Sequence, residues 1–86
     1  MTDALGDREV RAALLMRVRT LLERCPQKKR IAHGVSKGMT NREIAQQLNR
    51  SEHTVHSLLR QIYEKTGISG RVVLGVVVDE IYRMPD

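Results

Sequence analysis

Eighty-six residues set one domain near the lower size limit for a core built without disulfides or metal. A single cysteine, Cys25, excludes an intrachain disulfide and points to a reducing, cytoplasmic setting, and no apolar run, the Val-rich stretch around Val76 included, is long enough for a signal peptide or a membrane span. The net charge of +5 sits in the middle of the chain: residues 27–66 hold eight basic and three acidic side chains (+5), against five and four (+1) in 1–26 and two and three (−1) in 67–86.

From Asp7 to about Arg24, the residues Val10, Ala13, Leu14, Val18, Leu21 and Leu22 recur at three- and four-residue intervals with arginines largely between them, which predicts an amphipathic helix. Leu15 and Met16 widen its apolar face, so burial on two sides or a partner surface is expected. Cys25-Pro26 ends it, because the residue before a proline is pushed out of helical geometry, and Pro26 opens a second helix through Ile31, Ala32 and Val35 to near Gly38. Gly34 inside that helix costs about 1 kcal/mol relative to alanine unless a close helix crossing needs the space.

Thr40-Asn41-Arg42-Glu43 has the form of a capping box, so a third helix starts there with Ile44, Ala45 and Leu48 on one face. Asn49-Arg50 makes a short turn, and Ser51 caps a fourth helix. Val55, Leu58, Leu59 and Ile62 form its buried side, and Glu52, His53, His56, Ser57, Arg60 and Gln61 occupy its other faces until Thr66-Gly67 stops it. Ser69 is expected to cap a last helix through Val72, Val73, Val76, Val77 and Ile81, ended by Pro85; its β-branched residues have low helix propensity, so it needs packing to be stable.

A basic stretch is the footprint of a phosphate-binding face, but it equally describes a solvated helix surface, so the pattern must decide. Two short helices around a tight turn, the second polar and basic outward, predict a helix-turn-helix over residues 40–66. In that geometry the first helix crosses the DNA backbone, where Thr40, Asn41 and Arg42 meet phosphate. The second helix, about 52–65, lies in the major groove and brings His56, Ser57 and Arg60 to base edges. Arg60 is the strongest candidate, because its forked guanidinium matches the two acceptors of guanine.

The run Gly38-Met39-Thr40-Asn41-Arg42-Glu43-Ile44-Ala45-Gln46-Gln47-Leu48, followed by Ser51-Glu52-His53-Thr54-Val55, Ile62-Tyr63-Glu64-Lys65 and Gly67-Ile68-Ser69-Gly70-Arg71, resembles the DNA-binding domain of the LuxR/FixJ family from about Pro26 to Val78. The resemblance implies an all-α fold: a four-helix helix-turn-helix domain at 26–86, with an extra N-terminal amphipathic helix at 1–25. It also implies base contacts at His56, Ser57 and Arg60, phosphate contacts at Thr40, Asn41, Arg42, Thr54 and Lys65, and a dimer contact around Val72, Val73 and Val76. The expected partner is double-stranded DNA bound by a homodimer, in a bacterial cytoplasm and on the nucleoid when bound.

Three positions depart from the family pattern. Arg30 stands where an acidic residue is usual, which puts an ion pair within the fold in doubt. His56 stands where a basic residue is common, and Leu58 where a histidine is, so the reading surface has lost a permanent charge. Thr66 stands where leucine is usual, which is expected to leave the end of the recognition helix less well anchored. Family members commonly join this domain to a receiver or ligand-binding domain, and only about 25 residues stand in that place here.

His33, His53, His56 and Cys25 match no zinc spacing, and neither a Ser/His/Asp arrangement, paired carboxylates nor a glycine-rich phosphate loop exceeds chance. The sequence therefore argues against an enzyme and calls for no metal and no cofactor. The rival reading is an interaction protein that uses the same fold to bind a larger transcription regulator through its N-terminal or C-terminal helix. Thr54, Arg60 and Lys65 argue for DNA, while the lean recognition helix and the apolar outer helices argue for a protein partner.

Overall fold

The computed structural model describes residues 4–83, and side chains from residue 8 onward. Its five helices are α1 (Ala4–Arg24), α2 (Pro26–Ser36), α3 (Asn41–Leu48), α4 (Glu52–Thr66) and α5 (Arg71–Arg83), and the described residues hold no strand. The fold is all-helical, as the periodicity indicates. α1 begins at Ala4 rather than Asp7, and the expected stop at Pro85 lies outside the described residues.

Helix boundaries follow local chemistry. Cys25 is the extended N-cap of α2, with Pro26 at the first helical position, where a missing N–H costs nothing. The capping box at α3 is complete: the Glu43 amide donates to Thr40 Oγ1 at 3.1 Å and the Thr40 amide to Glu43 Oε1 at 2.9 Å. The Thr40 amide first, and then the Thr40 hydroxyl, hold the Glu43 carboxyl below its ordinary range.

At the end of α4, Gly67 takes the left-handed conformation (φ 77°) that closes a helix, and its amide donates to the Tyr63 carbonyl. Ser69 does not cap α5. The Gly70 carbonyl accepts the first bond, from the Leu74 amide at 3.1 Å, and Gly70 turns the chain into the helix at φ 143°, leaving Ser69 exposed one residue outside.

One aliphatic core joins all five helices: Val18 and Leu22 of α1, Ile31 of α2, Ile44 of α3, Val55 and Ile62 of α4, and Leu74 and Val78 of α5 are all fully buried. With no Phe or Trp in the chain, stability depends on many side chains each worth about 1.5–3 kcal/mol on full burial. The principal packing is α2 on α5 and α3 on α4, and α1 lies across α2 and α5 and touches α4. α5 obtains the support its β-branched sequence requires by burying Leu74, Val77, Val78 and Ile81.

Gly34 lies where α2 meets α3. A Cβ there would stand 2.6 Å from Ile44 Cγ1 and 2.9 Å from Cδ1, so the close crossing that excuses a mid-helix glycine is present. Polar ties fix α1: Arg11 pairs with Glu80 of α5, the Tyr82 hydroxyl donates to Glu23 Oε2 at 2.7 Å, and Lys29 Nζ lies 2.9 Å from the same oxygen. Hydrogen bonds from Lys29 and then Tyr82 hold the Glu23 carboxyl below its usual range, while burial and Glu23 push the Tyr82 hydroxyl well above that of free tyrosine.

Candidate nucleic-acid interface

The turn between α3 and α4 is built by one residue able to go left-handed. Asn49 sits at φ 55° and ψ 47°, a conformation asparagine tolerates better than most side chains, and the Arg50 amide reaches back to the Ala45 carbonyl at 2.9 Å. Ser51 then starts α4: its Oγ accepts from the Thr54 amide at 3.1 Å and lies 3.0 Å from the Thr54 hydroxyl. This closure is tight enough to fix the two helices as a unit, with Ile44, Ala45, Val55 and Leu59 all buried in the shared core.

The register of α4 sorts its side chains as the periodicity requires. Val55, Leu59 and Ile62 are buried and Leu58 is half-buried, while His53, His56, Arg60, Gln61 and Glu64 are exposed. His56 and Arg60, four residues apart, share one outer face, with Ser57 half-buried beside them. Thr54 is half-buried at the start of the helix and Lys65 exposed at its end.

At α3, Thr40 and Arg42 are exposed and Asn41 half-buried. The first two amides of α3, those of Asn41 and Arg42, have no acceptor within the helix, and the positive end of the helix dipole adds to them; both suit an anionic oxygen. Of the predicted contact groups, Thr40, Arg42, His56, Arg60 and Lys65 are thus exposed and Asn41, Thr54 and Ser57 half-buried, on two helices held by one turn.

Arg71, the first residue of α5, carries no role that the sequence pattern signals. Its guanidinium donates to Asn41 Oδ1 at 2.7 Å and to the Met39 carbonyl at 2.6 Å, so α5 pins the start of α3. The contact takes the oxygen of the Asn41 amide and leaves its nitrogen, the donor a phosphate would need. Thirty residues separate the partners, and nothing local in the sequence signals the bond.

Thr66 corrects the expectation of a poorly anchored α4. It is buried, its hydroxyl donates to the Ile62 carbonyl at 2.7 Å and accepts from the Ile68 amide at 3.2 Å, so the end of α4 is held by hydrogen bonds where leucine would hold it by packing. Arg30 is exposed, and an ion pair between α1 and α2 is made next to it, by Lys29 and Glu23.

Val72, Val73 and Val76 are 81%, 50% and 60% exposed and form an apolar strip on the outer face of α5. Among the described residues no group of three His, Cys, Asp or Glu side chains is placed to hold a metal ion, and no helix is long and apolar enough to cross a membrane.

Four helices, the middle pair joined by a three-residue turn and the second of that pair presenting a polar outer face, define a helix-turn-helix domain of the DNA-binding regulatory class. Residues 26–78, more than half of the chain, match the luxR family of bacterial regulatory proteins, and the chain belongs to that family. No curated protein and no solved structure matches it.

Proposed function

We propose that this chain is a sequence-specific DNA-binding transcriptional regulator that acts as a homodimer in the bacterial cytoplasm, on the nucleoid when bound, and has no catalytic activity. Residues 26–86 form the DNA-binding unit and residues 1–25 an accessory layer. α4 enters the major groove, where His56, Ser57 and Arg60 meet base edges; Thr40, Asn41, Arg42, Thr54 and Lys65 hold phosphates; and Val72, Val73 and Val76 pair two copies. The observation that carries the reading is the outer face of α4, with His56 and Arg60 exposed together on a helix whose opposite face is locked in the core.

Pull-down of fragmented genomic DNA by the purified full chain at about 150 mM salt, with sedimentation of the same sample, tests it. Enrichment of an inverted repeat by a dimer is expected. Arg60→Ala then relaxes discrimination at one base position at a cost of about 1–3 kcal/mol, whereas Lys65→Ala weakens all sequences alike. No enrichment would overturn the reading. The 81% exposure of Val72, with Val10 and Met16 of α1 also exposed, favours a second reading in that case: an interaction protein that docks on a larger regulator through its outer helices.

A further inference from the structure

We propose that α1 extends the phosphate-binding surface of α4: Arg17 and Arg24, together with Lys65, clasp the DNA backbone flanking the segment that α4 reads. The inference rests on the DNA-binding reading above and concerns a helix outside the matched residues 26–78. α1 has two working faces. Val18 and Leu22 are buried and Leu14 and Leu15 pack against the core, whereas Ala13, Met16, Arg17, Thr20, Leu21 and Arg24 recur at helical spacing on another face and line a groove closed by Lys65, in the last turn of α4.

Three cations line that groove and no acidic side chain does. Glu23 holds Lys29 and Tyr82, and Glu80 holds Arg11, while Glu64, exposed next to Lys65, does not line the groove. Arg17 and Arg24 are exposed and enter no hydrogen bond or ion pair among the described residues. Gathering like charges on one groove is unfavourable unless a polyanion relieves it.

A helix lying in the major groove leaves its last turn beside the sugar-phosphate backbone, so a helix packed against that turn reaches the same backbone further out. A second copy is the poorer occupant. The apolar floor is only Ala13, Met16 and Leu21, and a two-fold pairing would set arginine against arginine.

The test is fluorescence anisotropy with the full chain and a duplex recovered in the pull-down, from 50 to 200 mM KCl. Each lost phosphate contact lowers the slope of log affinity on log salt by about 0.9, so Arg17→Ala/Arg24→Ala should flatten it by about 1.8, and the advantage of the unaltered chain should shrink about twelvefold across that range. Preference for the recovered duplex over a scrambled one should stay unchanged, and Arg17→Lys/Arg24→Lys should keep the original slope. On a duplex trimmed to the base-contacted segment the alanine and unaltered chains should bind alike.

An unchanged slope in an alanine variant that melts like the unaltered chain overturns the proposal while leaving the DNA-binding reading intact. So does a Met16→Asp variant that changes oligomeric mass at unchanged salt slope, which would assign the groove to a second copy. Failure of the unaltered chain to bind any duplex overturns both.

Discussion

Replacing Gly34 by alanine sets two effects of known size against each other. Alanine in a helix interior is favoured over glycine by about 0.8–1.0 kcal/mol. Its Cβ would fall 2.6 Å from Ile44 Cγ1 and 2.9 Å from Cδ1, and Ile44 is fully buried, so the Cγ1 methylene of that side chain, and not only its Cδ1 tip, must move inside a filled core. Overpacking of this kind costs about 1–3 kcal/mol, and contact this close places Gly34 toward the upper end. The net expectation is a loss of about 1–2 kcal/mol, which in a domain of this size lowers Tm by roughly 4–16 °C. Gly75 supplies an internal control: a Cβ there would meet Val35 O at 3.4 Å, Ser36 Cα at 3.5 Å and Val35 Cγ1 at 3.7 Å, ordinary contacts, so Gly75→Ala should keep most of the helix gain and raise Tm by about 2–8 °C. Circular dichroism melts and urea midpoints of the two variants decide the matter. A Gly34→Ala variant as stable as the unaltered chain would show that the α2–α3 crossing is looser than the geometry requires.

Other perturbations probe the ties around the interface. Arg71→Ala removes two charge-assisted bonds from a half-buried guanidinium and should cost about 1.5–3 kcal/mol in urea unfolding, with weaker binding of every duplex as the start of α3 loosens; loss of stability without loss of affinity would separate Arg71 from the DNA surface. Thr66→Val keeps the shape but leaves the buried Ile68 amide without its acceptor, a loss of about 1–3 kcal/mol by the same measurement, and an unchanged midpoint would deny Thr66 its anchoring role. His33 packs against Tyr82 with ring centroids 4.5 Å apart and planes tilted by 44°, and burial first, then Lys29 and Lys37, lower its pKa in spite of Glu23. The folded state therefore favours the neutral ring, the unfolded chain binds more protons, and stability complete above the ordinary histidine range should fall as pH drops through it toward the lowered folded value. His33→Gln should flatten that part of the pH profile of the urea midpoint, and an identical profile would place the titration elsewhere.

What the sequence reveals and what it hides follow from the range of the interactions. The capping box at Thr40 and Glu43, the Ser51 cap, Pro26 at the start of α2 and Gly67 at the end of α4 are each set within a few residues, so α2, α3 and α4 are legible from spacing and cap chemistry alone. The start of α5 is not, because two residues in succession can stop one helix and start the next, and backbone freedom at Gly70 outweighs the hydroxyl of Ser69. Thr66 misleads for a related reason: a hydroxyl in an apolar position reads as a defect until a donor and an acceptor are brought to it. Arg71 and the α1 groove are invisible in one dimension, since each joins elements far apart in the chain.

Apart from the outer face of α1, the exposed chemistry of the molecule falls on two surfaces, and Arg71 stands where they meet. The polar and basic groups proposed for DNA occupy the free faces of α3 and α4, and the apolar strip proposed for pairing occupies α5, beginning at Val72, the residue after Arg71. Because the Arg71 guanidinium grips the Asn41 side chain and the Met39 carbonyl, a partner that seats on Val72 and Val76 bears on the same short segment that orients the start of α3. The surfaces proposed for pairing and for phosphate contact are therefore bridged by one side chain as well as by the shared core. α1 is held independently, by Val18 and Leu22 in the core and by Arg11 and Glu23 at its edges, so the position of Arg17 and Arg24 relative to α4 does not depend on that joint. Loosening Arg71 should disturb α3 and leave the α1–α4 groove in place, whereas changing the outer face of α1 should leave the α3–α5 joint as it is.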